Sequence, residues 1–131
     1  MAFQCVLVTP EQQVLDEQIV QAIIPGHDGK VGILTDRAPL LLKLGLGEMR
    51  LDLPGGQRQT FYVEGGVAQM KDNKLTILTT QAIPAADIDA ESAKAELAEA
   101  QAAHPTDPAA MEQRDKTLAR AKAQVELAGK S

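Results

Sequence analysis

KLTILTTQAIPAADIDAESAKAELAEAQAA, residues 74–103, changes its period at Pro84. Before the proline, Leu75 and Ile77 alternate with polar residues, the two-residue period of a half-buried strand. After it there is no glycine until Gly129, alanine dominates, and most other residues are strong helix formers. The chain therefore reads as α+β, with an N-terminal antiparallel β-sandwich over residues 1–84 and an antiparallel two-helix hairpin over 85–131.

Upstream, the segments at 3–9, 19–25, 48–54, 59–65 and 74–80 are short, rich in β-branched residues and often alternating. Pro25-Gly26, Asp28-Gly29, Pro54-Gly55-Gly56, Gly65-Gly66 and Asp72-Asn73 punctuate them as turns. Short strands at this spacing indicate a sandwich or barrel. In GKVGILTDRAPLLLKLGLG, residues 29–47, the glycines read as turn and bulge positions. Val31, Ile33, Leu34 and Leu40 to Leu42 read as packing side chains there, with Lys30 and Arg37 as exposed tips at one end of the sandwich.

Downstream, Asp87 or Asp89 is placed to cap the first helix, and His104-Pro105-Thr106-Asp107-Pro108 ends it. Asp107 then acts as N-cap and Pro108 as first residue of the second helix. Ala90, Ala93, Leu97 and Ala100 form one seam, and Met111, Leu118, Ala121, Val125 and Ala128 the other. A seam made mostly of alanine buries little area, so the hairpin is expected to be weakly held and able to move. Arg114 falls inside the second stripe and is expected to snorkel or to pair with a neighbouring acid such as Glu96 or Glu99, the alternative being a contact exposed only when the hairpin opens.

Charge divides along the same line. Residues 85–112 carry Asp87, Asp89, Glu91, Glu96, Glu99, Asp107 and Glu112 against Lys94 alone. Residues 113–131 carry Arg114, Lys116, Arg120, Lys122 and Lys130 against Asp115 and Glu126. Such a pattern makes either a solvated hairpin with weak cross-helix pairs or a basic helix that docks on an acidic partner.

The chain of 131 residues has a formal charge of -5, and its rings are Phe3, Phe61 and Tyr62. Neither a basic field nor stacking platforms favour nucleic acid, and none is expected as partner. No secretion signal or membrane-length apolar run is apparent, which leaves membrane association to a complex. Cys5, in an apolar run, reads as a small buried hydrophobe. His27 and His104 lack ligand partners at metal spacing, Asp16-Glu17 reads as a solvated turn pair, and the glycines fit no phosphate loop. No catalytic residue, metal or cofactor is expected.

One known family shares these residues in order. Gly29-Lys30-Val31-Gly32-Ile33-Leu34, Ala38-Pro39-Leu40-Leu41, Tyr62-Val63-Glu64-Gly65-Gly66-Val67, Leu75-Thr76-Ile77-Leu78 and Ala82-Ile83 resemble the epsilon-subunit family of bacterial F-type ATP synthases, called delta in mitochondria. The resemblance implies a ten-stranded sandwich seated on the gamma subunit and the c-subunit ring. It implies a non-catalytic rotor role in the proton-translocating synthase, peripheral to the cytoplasmic face of the bacterial membrane. It also implies a hairpin that extends toward the catalytic alpha and beta subunits and hinders hydrolysis, with Arg114, Lys116, Arg120 and Lys122 as contacts. Lys30, Asp36 and Arg37 become the ring-facing residues, although many relatives read Gly-His at 36–37 and several an acid at 30. Some relatives bind ATP through Ile/Leu-Asp-x-x-Arg-Ala; residues 88–93 here read Ile-Asp-Ala-Glu-Ser-Ala. The arginine is missing, and Gln124 stands where another would be expected, so only Asp89 and Arg120 remain of that site. The alternative from the residues alone is a free-standing sandwich that binds a small ligand or peptide, with the helices as a dimerisation arm.

Overall fold

The computed structural model describes residues 2–128. The chain divides into two compact units, Met1–Pro84 and Ala85–Ser131. The first contains ten strands: β1 (Phe3–Val8), β2 (Gln13–Ile19), β3 (Gln21–Gly26), β4 (Gly29–Leu34), β5 (Leu40–Lys43), β6 (Leu46–Asp52), β7 (Arg58–Glu64), β8 (Val67–Lys71), β9 (Lys74–Leu78) and β10 (Ala82–Pro84). They form two five-stranded sheets, ordered β2-β1-β9-β8-β5 and β10-β7-β6-β3-β4. All strand pairs are antiparallel except β1 with β9, which run parallel in register Cys5 with Leu75 and Leu7 with Ile77.

Alternation builds the core. Phe3, Cys5 and Leu7 of β1, Ala22 and Ile24 of β3, Met49 and Leu51 of β6, and Leu75 and Ile77 of β9 turn inward and are buried. Each buried Leu, Ile, Met or Phe contributes roughly 1.5–3 kcal/mol, so this unit has what it needs to hold itself together. Cys5 sits among these side chains, and burial, followed by the nearby Asp16 charge, pushes its thiol up to about 12. At any ordinary pH it is a neutral thiol that packs.

Two sequence expectations change here. Asp16 and Glu17 lie within β2 rather than in a turn, facing Val6 and Cys5 across the β1 pairing. Asp16 also accepts a hydrogen bond from the Gln4 side chain at 2.9 Å. Leu34 and Leu41, expected to pack, are 57% and 70% exposed. In a run such as Leu40-Leu41-Leu42 a strand can turn only alternate residues inward, and here Leu40 and Leu42 take those places against the core.

The second unit contains a single 3₁₀ turn (Ala85–Asp87), α1 (Ala90–Ala102) and α2 (Pro108–Ala128). Asp89, not Asp87, caps α1. Asp107 accepts from the Ala110 N–H at 2.8 Å, and α2 begins at Pro108. Ala93 and Ala100 on α1, with Ala121 and Leu127 on α2, are the buried positions of the helices. A buried methyl adds only about 0.8 kcal/mol, so the alanine positions contribute far less per residue than the core of the sandwich. Met111, expected on the seam, is 45% exposed, and Leu127, not expected there, is buried. The remaining terminal residues, Lys130 among them, lie outside the described part of the chain.

Candidate interaction surfaces

Strand β4 separates the residues of the sandwich singled out for a partner, with Lys30 at its start and Asp36 and Arg37 beyond its end. Lys30 stands at its start, opposite Pro25 and beside the β3–β4 turn. That turn is tied to the far end of β5: His27 donates its N–H to the Lys43 carbonyl and Gly45 donates to the Pro25 carbonyl, both at 2.8 Å. A depression of about 550 Å³ opens here, lined by the turn, Lys30, Val31 and β5 from Leu41 to Lys43. Close packing demands glycine at 26, since a Cβ there would stand 2.6 Å from the Gly29 carbonyl oxygen.

Asp36 and Arg37 follow the other end of β4. The Asp36 N–H donates to the Asn73 side-chain oxygen at 2.7 Å, and the Asn73 amide returns a bond to Asp36 at 2.9 Å. Asp36, Asp72 and Asn73 all have left-handed φ, at 60°, 52° and 59°. Asp72-Asn73 is the two-residue loop of the β8–β9 hairpin, a position that favours these residue types. Lys30 and Arg37 are therefore not neighbouring tips of one end. A strand advances about 3.3 Å per residue, and β4 holds them apart along its whole length.

In the helical unit the basic residues are partly committed. Arg114 pairs with its neighbour Asp115 at 2.9 Å and is not paired with Glu96 or Glu99. It is Arg120 that reaches across the hairpin, to Glu96 at 3.8 Å. Lys116 and Lys122 are exposed. Asp89 is held by its own helix: its carboxylate accepts from the N–H groups of Glu91 and Ser92 and from the Ser92 hydroxyl, each at 3.1 Å. Thus Asp89 and Arg120, the two residues left from the nucleotide motif, each have a partner of their own within the hairpin.

The bonds from the Ser92 N–H and then the Ser92 hydroxyl lower the Asp89 pKa from its ordinary value of 3.8; desolvation opposes them, and the Glu91 N–H adds a lesser lowering. A depressed carboxylate pKa stabilises the folded helix above the unfolded value and loses that contribution as pH falls through the folded value. Helicity of the full chain, followed by circular dichroism, is expected to hold above about pH 4 and to include an acid-side loss from α1. Asp89→Asn keeps a capping side chain but cannot titrate, so that loss should disappear. An unchanged acid limb in Asp89→Asn would assign the loss to other carboxylates.

Residues 2–85 match the family described as ATP synthase, Delta/Epsilon chain, beta-sandwich domain. The chain belongs to the ATP synthase delta/epsilon chain family. Among similar proteins of that family, the ATP synthase epsilon chain of Rhodopirellula baltica is 35% identical over 125 residues, covering 95% of this chain and 97% of that one. The chloroplastic epsilon chain of Emiliania huxleyi is 42% identical over 97 residues, 74% of each chain. A chain in the structure of the Euglena gracilis mitochondrial ATP synthase, described as OSCP/F1/c-ring, superposes with a TM-score of 0.87 at 24% identity. That superposition covers 93% of this chain and 78% of that one, and it shows a shared fold. Family membership accounts for the sandwich better than a free-standing ligand binder does.

The surface residues that sequence reasoning missed are apolar. Leu41, Val67 and Leu78 are large, exposed and on strands. Their signal was available in the alternation of β5, β8 and β9, since each sits next to a buried or half-buried residue.

Proposed function

We propose that this chain is the non-catalytic central-stalk subunit of a proton-translocating F-type ATP synthase. The observation that carries this reading is the 35% identity to an epsilon chain over nearly the full length of both chains. The sandwich packs on the gamma subunit and the c-subunit ring, and couples the ring to the catalytic head. Two solved structures with the same fold are described as an F1/c-ring assembly and as a central stalk/c-ring assembly, which supports this placement. No helix among the described residues is long and apolar enough to cross a membrane. In this reading the complex supplies the attachment, at the cytoplasmic face of the membrane.

Lys30 and the Asp36-Arg37 turn are contacts toward the ring in this reading, one from each end of β4. The hairpin is a regulatory arm: Arg114, Lys116, Arg120 and Lys122 give α2 a basic surface that suits acidic loops of the alpha and beta subunits. A weakly packed helix pair needs a bias of only a few kcal/mol to change state. Nucleotide binding by the hairpin is not part of the proposal, because an arginine that would neutralise phosphate is absent from residues 88–93.

The reading is tested by affinity purification of the tagged full chain from detergent-solubilised membranes. Gamma and c subunits are expected in stoichiometric recovery. A free monomer, with neither subunit, would remove it.

A further inference from the structure

Thr79-Thr80-Gln81 joins β9 to β10 and is tied to the end of β7 by side chain and backbone together. Thr79 is 4% exposed, although it is polar and lies outside the strands. Its hydroxyl stands within donating distance of three carbonyl oxygens: Gly65 at 2.8 Å, and Glu64 and Gln81 at 3.2 Å each. The Thr80 hydroxyl donates to the Glu64 carbonyl, and the Glu64 N–H donates to the Gln81 carbonyl at 3.2 Å. The Thr79 N–H donates to the Val8 carbonyl at 3.0 Å, so the segment is anchored to β1 of one sheet and to β7 of the other. A buried hydroxyl is costly unless it is bonded, and here the bonding fixes the path of the chain.

The strand that follows is weakly held by itself. β10 has three residues and lies at a sheet edge, pairing with β7 as Ala82 with Val63, Ile83 with Tyr62 and Pro84 with Phe61. Pro84 has no N–H to give to a ladder. Directly after Pro84 the chain enters the 3₁₀ turn and then α1. The bonds at 79–81 therefore hold the last part of the sandwich before the hairpin begins.

We propose that the Thr79 and Thr80 hydroxyls form a clasp that sets the length of the hairpin's tether, and through it the strength with which the hairpin inhibits hydrolysis. The inference rests on the reading of residues 85–131 as an inhibitory arm and adds to it the residues that set the arm's reach. With the clasp shut, the connection to α1 begins after Pro84. With the clasp open, residues 80–84 join the tether and lengthen it by up to roughly 17 Å. An arm on a tether acts at an effective concentration that falls as about the −3/2 power of tether length. Doubling the connection from residues 85–89 to residues 80–89 therefore weakens inhibition about threefold. Thr79 and Thr80 contact no partner in this account; they are positioning residues.

The test uses the full chain in the assembled ATP synthase. Thr79→Val with Thr80→Val keeps the side-chain shapes and removes both donors. Hydrogen exchange followed by mass spectrometry is expected to accelerate about tenfold or more at residues 81–83, with Leu75 to Ile77 of β9 unchanged. ATP hydrolysis is expected to rise about threefold. Thr79→Ser with Thr80→Ser, which keeps the hydroxyls, should return both measurements to wild type. In the complex lacking residues 85–131 the valine changes should add nothing; a further rise there would place the effect in the sandwich and overturn the proposal. Unchanged exchange in the valine variant would overturn it as well, as would faster exchange with wild-type hydrolysis. Should the double variant fail to assemble, Thr80→Val alone, at an exposed side chain, carries the same expectations at smaller size. If removing residues 85–131 raises hydrolysis and the valine variants do not, the clasp falls and the inhibitory arm stands. If that removal leaves hydrolysis unchanged, both fall together.

Discussion

Gly66→Ala is expected to destabilise the sandwich by more than about 4 kcal/mol, enough to prevent folding in a protein of ordinary stability. A Cβ at this position would lie 1.9 Å from the Leu78 carbonyl oxygen and 2.8 Å from the Thr79 Cα, both backbone atoms. Neither can retreat without breaking the β8–β9 pairing, where Val67 stands opposite Leu78. The Gly66 φ of +105° adds strain for any L residue. Gly65 provides the control. Its φ is +69°, but nothing lies within 4 Å of its hypothetical Cβ. Gly65→Ala is therefore expected to cost only about 1–2 kcal/mol, the penalty of the left-handed conformation alone. Thermal or urea unfolding of the two variants decides the matter, and equal losses would refute the steric account. Both residues are also tied to the surrounding chain: the Gly65 carbonyl accepts from the Thr79 hydroxyl at 2.8 Å, and the Gly66 carbonyl accepts from the Leu44 N–H at 2.9 Å. Tyr62, in the same segment, donates its hydroxyl to Glu64 at 2.7 Å.

Removal of residues 85–131 is expected to raise ATP hydrolysis by the assembled complex about tenfold, the effect of losing an inhibitory bias of roughly 1.4 kcal/mol. Assembly should survive, because the core of the first unit is drawn from its own strands. The hairpin suits a two-state element: its seam is largely alanine, and its cross-helix pair, Arg120 with Glu96 at 3.8 Å, is partly exposed. Such a pair is worth about 1 kcal/mol at most. Lys116→Gln with Lys122→Gln, which removes two exposed charges and leaves the helix intact, should give part of the same increase. Hydrolysis unchanged by both the truncation and the charge removal would end the inhibitory reading and leave the stalk role standing. An increase on truncation but not on charge removal would locate the inhibition in the bulk of the helices.

Much of the layout was legible because it is local. The switch from period two to helix-forming composition at Pro84 marks where the two compact units divide. Helix ends depend on donors within one turn, so Asp89 and Asp107-Pro108 could be placed from sequence, and only the choice between Asp87 and Asp89 required coordinates. Strands β2, β4, β5, β8 and β10 were harder. In β2 the polar sequence around Asp16-Glu17 masked a strand that pairs along nearly its whole length with β1. The outward leucines of β4 and β5 were misread because composition was allowed to outweigh alternation.

The sequence by itself determined the order of the two units, the helix caps, the turn residues and the family, since each depends on side chains acting within a few residues or on a motif kept in order. Tertiary structure alone decided what meets across the chain. It joined Asp36 to Asn73, placed Lys30 and Arg37 at opposite ends of a strand, ran β1 parallel to β9, and aligned Lys43, Lys71 and Lys74 around Leu41, Val67 and Leu78. Strand partners are chosen by packing between distant segments, and a shift of one residue turns every side chain to the other face. No local propensity carries that choice.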